Sequence, residues 1–274
     1  MRLRVGISVG LSLFMAGLGL GGSTVATASE QAAGSSSTTW GVPGDIAVPA
    51  DYNNDGRADL AVFRPSNGTW YVLGVANTQF GASTDIPVPA DYNGDGQTDL
   101  AVFRPSTGTW YVRGAAPIRF GAATDIPVPR DYNGDHRADI AVFRPSNGTW
   151  YIRGAAAIPF GASTDKLVPN DYNGDHRADI AVFRPSNGTW YARGQAAIQF
   201  GAPTDVPVPA FYFADKHADL AVFRPSTGTW YIRGASSFLF GVRGDIPVPR
   251  DYNGDHRSDP AVFRPSTGTW YIRD

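Results

Sequence analysis

Short apolar runs, separated by glycine, proline and polar turns, recur every forty residues over most of this chain. Residues 80–119 show one unit. Ile86-Pro87-Val88-Pro89 comes first, then Leu100-Ala101-Val102-Phe103-Arg104, then Thr109-Trp110-Tyr111-Val112-Arg113, and a short fourth run leads into Phe120-Gly121. Runs this short, bounded by turn residues and rich in β-branched and aromatic side chains, predict strands. Asn-Gly separates the second and third runs in three copies (Asn67-Gly68, Asn147-Gly148, Asn187-Gly188), a hairpin signal. A fixed period of this size predicts a solenoid or a propeller.

Two details place the strands. Pro87 and Pro89 lie two apart, so their missing N–H groups face the same side, and only an edge strand tolerates that. The second and third runs lack clean polar alternation, which predicts burial on both faces. A four-stranded sheet covered on both faces, with its first strand at an edge, is a propeller blade, and the proline-bearing edge is expected to line the central channel. The chain opens with Thr38-Thr39-Trp40-Gly41, a fourth strand without a blade, and finishes at a third strand without a fourth. The expected fold is therefore all-β, a six-bladed β-propeller of four-stranded blades over residues 38–274, closed by the N-terminal strand. An open six-module solenoid is the alternative if the unmatched strand is only a frayed end.

Between the first and second strands lies an acidic loop. Asp51, Asn53, Asp55 and Asp59 supply oxygen side chains at positions 1, 3, 5 and 9, and position 7 (Arg57) can add its carbonyl. The set recurs as Asp91, Asn93, Asp95, Gln97 and Asp99; Asp131, Asn133, Asp135, Arg137 and Asp139; Asp171, Asn173, Asp175, Arg177 and Asp179; and Asp251, Asn253, Asp255, Arg257 and Asp259. This spacing wraps oxygens around a hard cation, and calcium is the expected cofactor, about five ions per chain. An Asx-rich turn without metal is the plainer reading. It must accommodate three carboxylates in nine residues, and two carboxylates at ~4 Å repel by roughly 4 kcal/mol at an effective dielectric near 20. Position 6 is Gly56 or Gly96 in two copies and His136, His176 or His256 in three, where a left-handed backbone favours glycine and tolerates histidine.

Composition narrows the classes. Residues 1–28 read as a secretory signal peptide, with Arg2 and Arg4 ahead of an apolar run and Ala26-Thr27-Ala28 as a cleavage pattern; residues 29–37 read as a flexible lead. No membrane span is expected after cleavage, and the expected localisation is secreted. The absence of cysteine removes disulfides and thiolate metal sites. Losing Arg2 and Arg4 from 23 basic residues leaves 21 against 25 acidic ones, a net charge of −4 with no basic run, which argues against nucleic acid. No nucleophile elbow, zinc helix or phosphate loop is present, and identical acid sets argue against a catalytic pair, which is usually singular. The recurrent Trp70, Trp110, Trp150, Trp190, Trp230 and Trp270 predict packing rather than sugar stacking. The recurrent Arg64, Arg104, Arg144, Arg184, Arg224 and Arg264 predict ion pairs with a repeated aspartate.

Phe80-Gly81, the DxNxDGxxD loop and LAVFRPSTGTWY together resemble the FG-GAP/VCBS repeats of bacterial secreted proteins and the integrin alpha-subunit propeller, over residues 40–274, nearly all of the expected mature chain. The resemblance implies a calcium-binding propeller that serves adhesion or ligand binding. Six repeats instead of the integrin seven, and Asn at loop position 3, are departures. The expected function is a non-catalytic binding module for an extracellular carbohydrate or protein, monomeric. A secreted hydrolase or lyase with one site on the propeller face is the alternative. The fifth loop breaks the pattern: Phe211, Tyr212 and Phe213 replace its first ligands, so it is expected to lack metal and to offer the one distinctive contact surface.

Overall fold

The second strand of each unit, Ala-Val-Phe-Arg, is wholly buried up to its arginine, and the third places tryptophan inward. The computed structural model describes residues 35–273. The expected signal peptide and most of the lead lie outside the described residues. The boundary of the lead needs one correction. Ser35, Ser36 and Ser37 belong to the strand Ser35–Thr39, because backbone pairing with Thr269–Arg273 continues through them.

Six four-stranded antiparallel sheets follow in chain order. Blade one comprises Ile46–Ala47, Ala61–Arg64, Thr69–Val72 and Thr78–Gln79, and blades two to five repeat it. Blade six takes its outer strand from the N-terminal side: Ser35–Thr39 lies beside Thr269–Arg273, which continues to Ala261–Arg264 and Ile246–Pro247. Trp40 then does in blade six what Phe80 does in blade one. Its N–H bonds the Gly268 carbonyl, as Phe80 bonds Gly68, and its carbonyl accepts Trp270 Nε1 at 2.8 Å, as Phe80 accepts Trp70 Nε1. The ring is a six-bladed propeller. No helix among the described residues is long and apolar enough to cross a membrane.

Each blade buries its Phe-Trp pair against a valine of the next: Phe63 and Trp70 pack on Val102, and Phe263 and Trp270 pack on Val62, which completes the circle. The tryptophans are buried in every blade and tilt against the cross-strand phenylalanine, so they hold blades together. In the hairpin turn Gly68 sits at φ 65°, and a Cβ there would collide with the Gly81 carbonyl, so glycine is required on two counts.

The arginine ladder forms the expected pairs. Arg64 Nε donates to Asp45 Oδ1 at 2.7 Å and its Nη2 to Oδ2 at 2.8 Å, and all six blades repeat this fork. The guanidinium lies over the Tyr71 ring, 4.2 Å from its centroid. Asp45 also accepts the Val42 N–H. The carboxylate is thus buried but fully satisfied, the condition under which a buried charge is tolerated.

Removing that carboxylate in blade three (Asp125→Ala) leaves Arg144 without the partner of its two N–H donors. The guanidinium keeps some solvent, so the expected loss is about 2 kcal/mol, below a fully buried pair, as read from urea unfolding. A chain beginning at Gly44 lacks the strand that covers Thr269–Arg273. It is expected to melt at lower temperature and to self-associate through the bare edge, measured by thermal melting and light scattering. An equally stable monomer would contradict closure by that strand.

Candidate functional site

The loop of blade one is organised by its first residue. Asp51 Oδ1 accepts the Asn54 N–H at 2.6 Å, and its Oδ2 accepts the Gly56 N–H at 2.9 Å. Asn53 Oδ1 accepts the Asp55 N–H, and Asp55 Oδ1 accepts the Arg57 N–H, each at 2.9 Å. Asp59 closes the loop by accepting the Tyr52 N–H at 2.8 Å and Asn53 Nδ2 at 3.0 Å. Turning these amides inward requires left-handed residues. Asn54 has φ 61° and Gly56 φ 82°, and at position 6 His136, His176 and His256 all sit at φ 65°. Histidine therefore adopts the backbone the glycines adopt, at some cost in strain.

The donors fit a hard cation in kind. They are oxygens that share one sign of charge: burial first, and then the charges of Asp55 and Asp51, hold the Asp59 carboxyl above its ordinary value, against the opposing pull of the Tyr52 N–H. Asp99, Asp139 and Asp179 are displaced in the same direction with burial again first. A divalent ion would offset that like-charge repulsion, and Asp51, Asn53, Asp55 and Asp59 with their counterparts are the residues that would hold it. Position 7 has a further role. Arg137 lies against Gly94 of the preceding blade, and Arg57 against Gly254, so these side chains cross the seam between blades.

The same loops stitch the ring. Position 8 donates its N–H to the position-1 carbonyl of the preceding loop: Thr98 to Asp51, Ala138 to Asp91, Ala178 to Asp131, Ala218 to Asp171, Ser258 to Phe211, and Ala58 back to Asp251. The six bonds, 2.6 to 2.8 Å long, form a closed circle.

Blade five keeps the circle and changes the loop. Phe211 supplies the carbonyl but no carboxylate. Its three aromatic residues do not act together: Tyr212 is buried and donates its hydroxyl to the Val208 carbonyl at 2.7 Å, as the tyrosine of every other loop does, so it is core and not contact surface. Phe211 is half-buried, and Phe213 is exposed at 36%. Asp215, His217 and Asp219 bring one ligand atom each within 4.8 Å of one another, a convergence that no other trio of acidic or histidine side chains shows among the described residues. His217 Nε2 lies 3.4 Å from Asp215 Oδ2. Asp215 and Asp219 are what this loop keeps of the acidic pattern, at positions 5 and 9, and His217 stands at position 7.

Beside this loop, between blades four and five, is an open groove of about 320 Å³. Phe213, Trp190 and Ile198 provide apolar lining, and Gln195, Asp215, His217, Asp219 and Arg233 provide polar groups. Related grooves lie between blades two and three and between blades one and two, where no phenylalanine takes part. The groove recurs, and of these three only the one beside blade five is lined by a phenylalanine.

Residues 51–102 match the model of the FG-GAP-like repeat. That stretch runs from the first loop to the second strand of blade two, and the other blades of the propeller repeat its sequence pattern in register. No curated protein sequence matches it. Among solved structures it is similar to an Agrocybe aegerita lectin that recognises non-reducing terminal N-acetylglucosamine, at 15% identity and TM-score 0.53, covering 84% of this chain and 79% of that one. It is also similar to BBS1N, solved in complex with ARL6DN, at 13% identity and TM-score 0.52, covering 85% of this chain and 91% of that one. At these identities the likeness is one of fold.

Proposed function

We propose that this propeller is a secreted, calcium-stabilised, non-catalytic binding module that takes an extracellular carbohydrate in the groove between blades four and five. The carrying observation is Phe213, a large apolar ring left exposed where every other loop has asparagine, at the lip of a groove with five polar side chains. A sugar ring needs that combination: an apolar face for its C–H groups and fixed donors and acceptors for its hydroxyls. Asp215, Asp219, Gln195 and Arg233 supply the second part. Propellers of similar fold include one that recognises a sugar and one solved with a protein partner, which supports binding as the use of this scaffold. The break in the repeat adds an aromatic surface, which favours recognition over hydrolysis.

Calcium in the five intact loops would couple secretion to stability. With Kd near ~0.1 mM, ~1 mM calcium adds roughly 1.4 kcal/mol per site. Excess chelator is therefore expected to lower the melting temperature by many degrees, and metal analysis is expected to find five calcium ions per chain. An unchanged melt would refute the stabilising role.

The groove is tested with Phe213→Ser on a glycan array, run with and without calcium. The expected result is loss of the wild-type glycan signal with the melting temperature unchanged, because Phe213 is exposed. Retained binding would exclude the groove, and binding to no glycan by the wild type would exclude carbohydrate.

A further inference from the structure

The residue just before each loop sits where the first strand reaches the ring axis. These residues are Ala50, Ala90, Arg130, Asn170, Ala210 and Arg250, each bridged to the last aspartate of its loop. Arg130 belongs to blade three and Arg250 to blade six, on opposite sides of the ring. The electrostatic environment of Arg130 nevertheless includes Arg250 together with the tyrosines of blades two, three and four. Arg250 in turn acts on Tyr52, Tyr212 and Tyr252. Blades that far apart approach each other only at the axis, so both guanidiniums point into the central channel.

Neither has a counter-charge. The six ladder arginines each fork onto a buried aspartate, but among the described residues Arg130 and Arg250 have no carboxylate partner. Each donates one N–H, from Nη1, to the carbonyl of the proline before it, at 3.2 and 3.1 Å. A guanidinium carries five N–H groups, so most remain free. The tyrosines around them supply no anion. Their hydroxyls donate to Val48, Val88, Val128, Val168, Val208 and Val248 carbonyls at 2.6 to 2.7 Å, and burial pushes their ionisation far above the ordinary range. Asn170 gives its Nδ2 to the Pro209 carbonyl at 3.4 Å and its Oδ1 to the Asp171 N–H. Arg130 has accessible side-chain surface. Partial desolvation among the surrounding side chains first, and the charge of Arg250 second, hold its guanidinium below its usual range.

We infer that the central channel binds a small oxyanion, of the sulfate, phosphate or carboxylate class, between the guanidiniums of Arg130 and Arg250. A planar guanidinium presents N–H groups in a fork that matches two oxygens of one anion. Two forks on opposite walls suit a tetrahedral dianion better than a single carboxylate. Such a ligand neutralises two like charges that the fold otherwise holds together, and it ties blade three to blade six across the axis.

The test uses the full chain with sulfate as the probe, acetate as the carboxylate comparison, and chloride at matched ionic strength as the screening control. Sulfate is expected to raise the melting temperature beyond chloride, to bind one ion per chain by titration calorimetry, and to outperform acetate. In Arg130→Ala and Arg250→Ala the sulfate affinity is expected to fall by roughly tenfold or more. These variants should fold, because Ala50, Ala90 and Ala210 already occupy the equivalent position in three blades. Without sulfate, Arg130→Ala is expected to melt above the wild type, since one of the two repelling charges is gone. A sulfate effect no larger than that of chloride, or one that survives in the double variant, would overturn the inference.

Discussion

The ring depends on a residue that does two things with its two ends. The carboxylate of Asp51 gathers the amides of its own loop, and its carbonyl takes an N–H from the loop of the next blade. Loop order and seam order are therefore coupled through one residue, and the coupling is repeated around the circle. Blade five separates the two functions. Phe211 retains the carbonyl bond to Ser258, which any residue can make, and gives up the carboxylate, which only the loop requires. The seam survives there, and the surface of the loop is free to differ.

Charge inside the blades is handled by pairing. Asp45 is enclosed by a forked arginine and a backbone N–H, and the arginine is covered in turn by Tyr71. Because each blade carries the same set, the interior is electrically balanced blade by blade. Against this regularity the exceptions stand out: Phe213 with His217 at one rim groove, and Arg130 with Arg250 at the axis. Six identical blades present six identical surfaces, so recognition of a single ligand must come from the places where the repeat is broken. Both exceptions are such places, one on the rim and one on the axis.

Much of this was legible in the residues. Pro87 and Pro89 on one side of a short run marked an edge strand, and Ile86–Pro87 is the edge of its sheet. The Asn-Gly hairpins, the arginine–aspartate pairs and the closing strand followed from local chemistry or from a repeat left incomplete at both ends. The aromatic break at residues 211–213 drew attention to the right loop, but its three rings looked equivalent in one dimension. They separate because strand geometry sends Tyr212 inward with the other loop tyrosines and leaves Phe213 outside.

Sequence alone determined the period, the strands and the donor set of the loop, because each is set by residues within a few positions of one another. Only the tertiary structure decided which equivalent positions meet. The seam joins Thr98 to Asp51 and Ala58 to Asp251, and the ring sets Arg130 within electrostatic reach of Arg250. Periodicity shows that such positions are alike and is silent on whether they touch. Contact at those separations follows from the curvature that accumulates as each blade packs its Phe-Trp face on the next valine, a property of the closed ring that no single repeat contains.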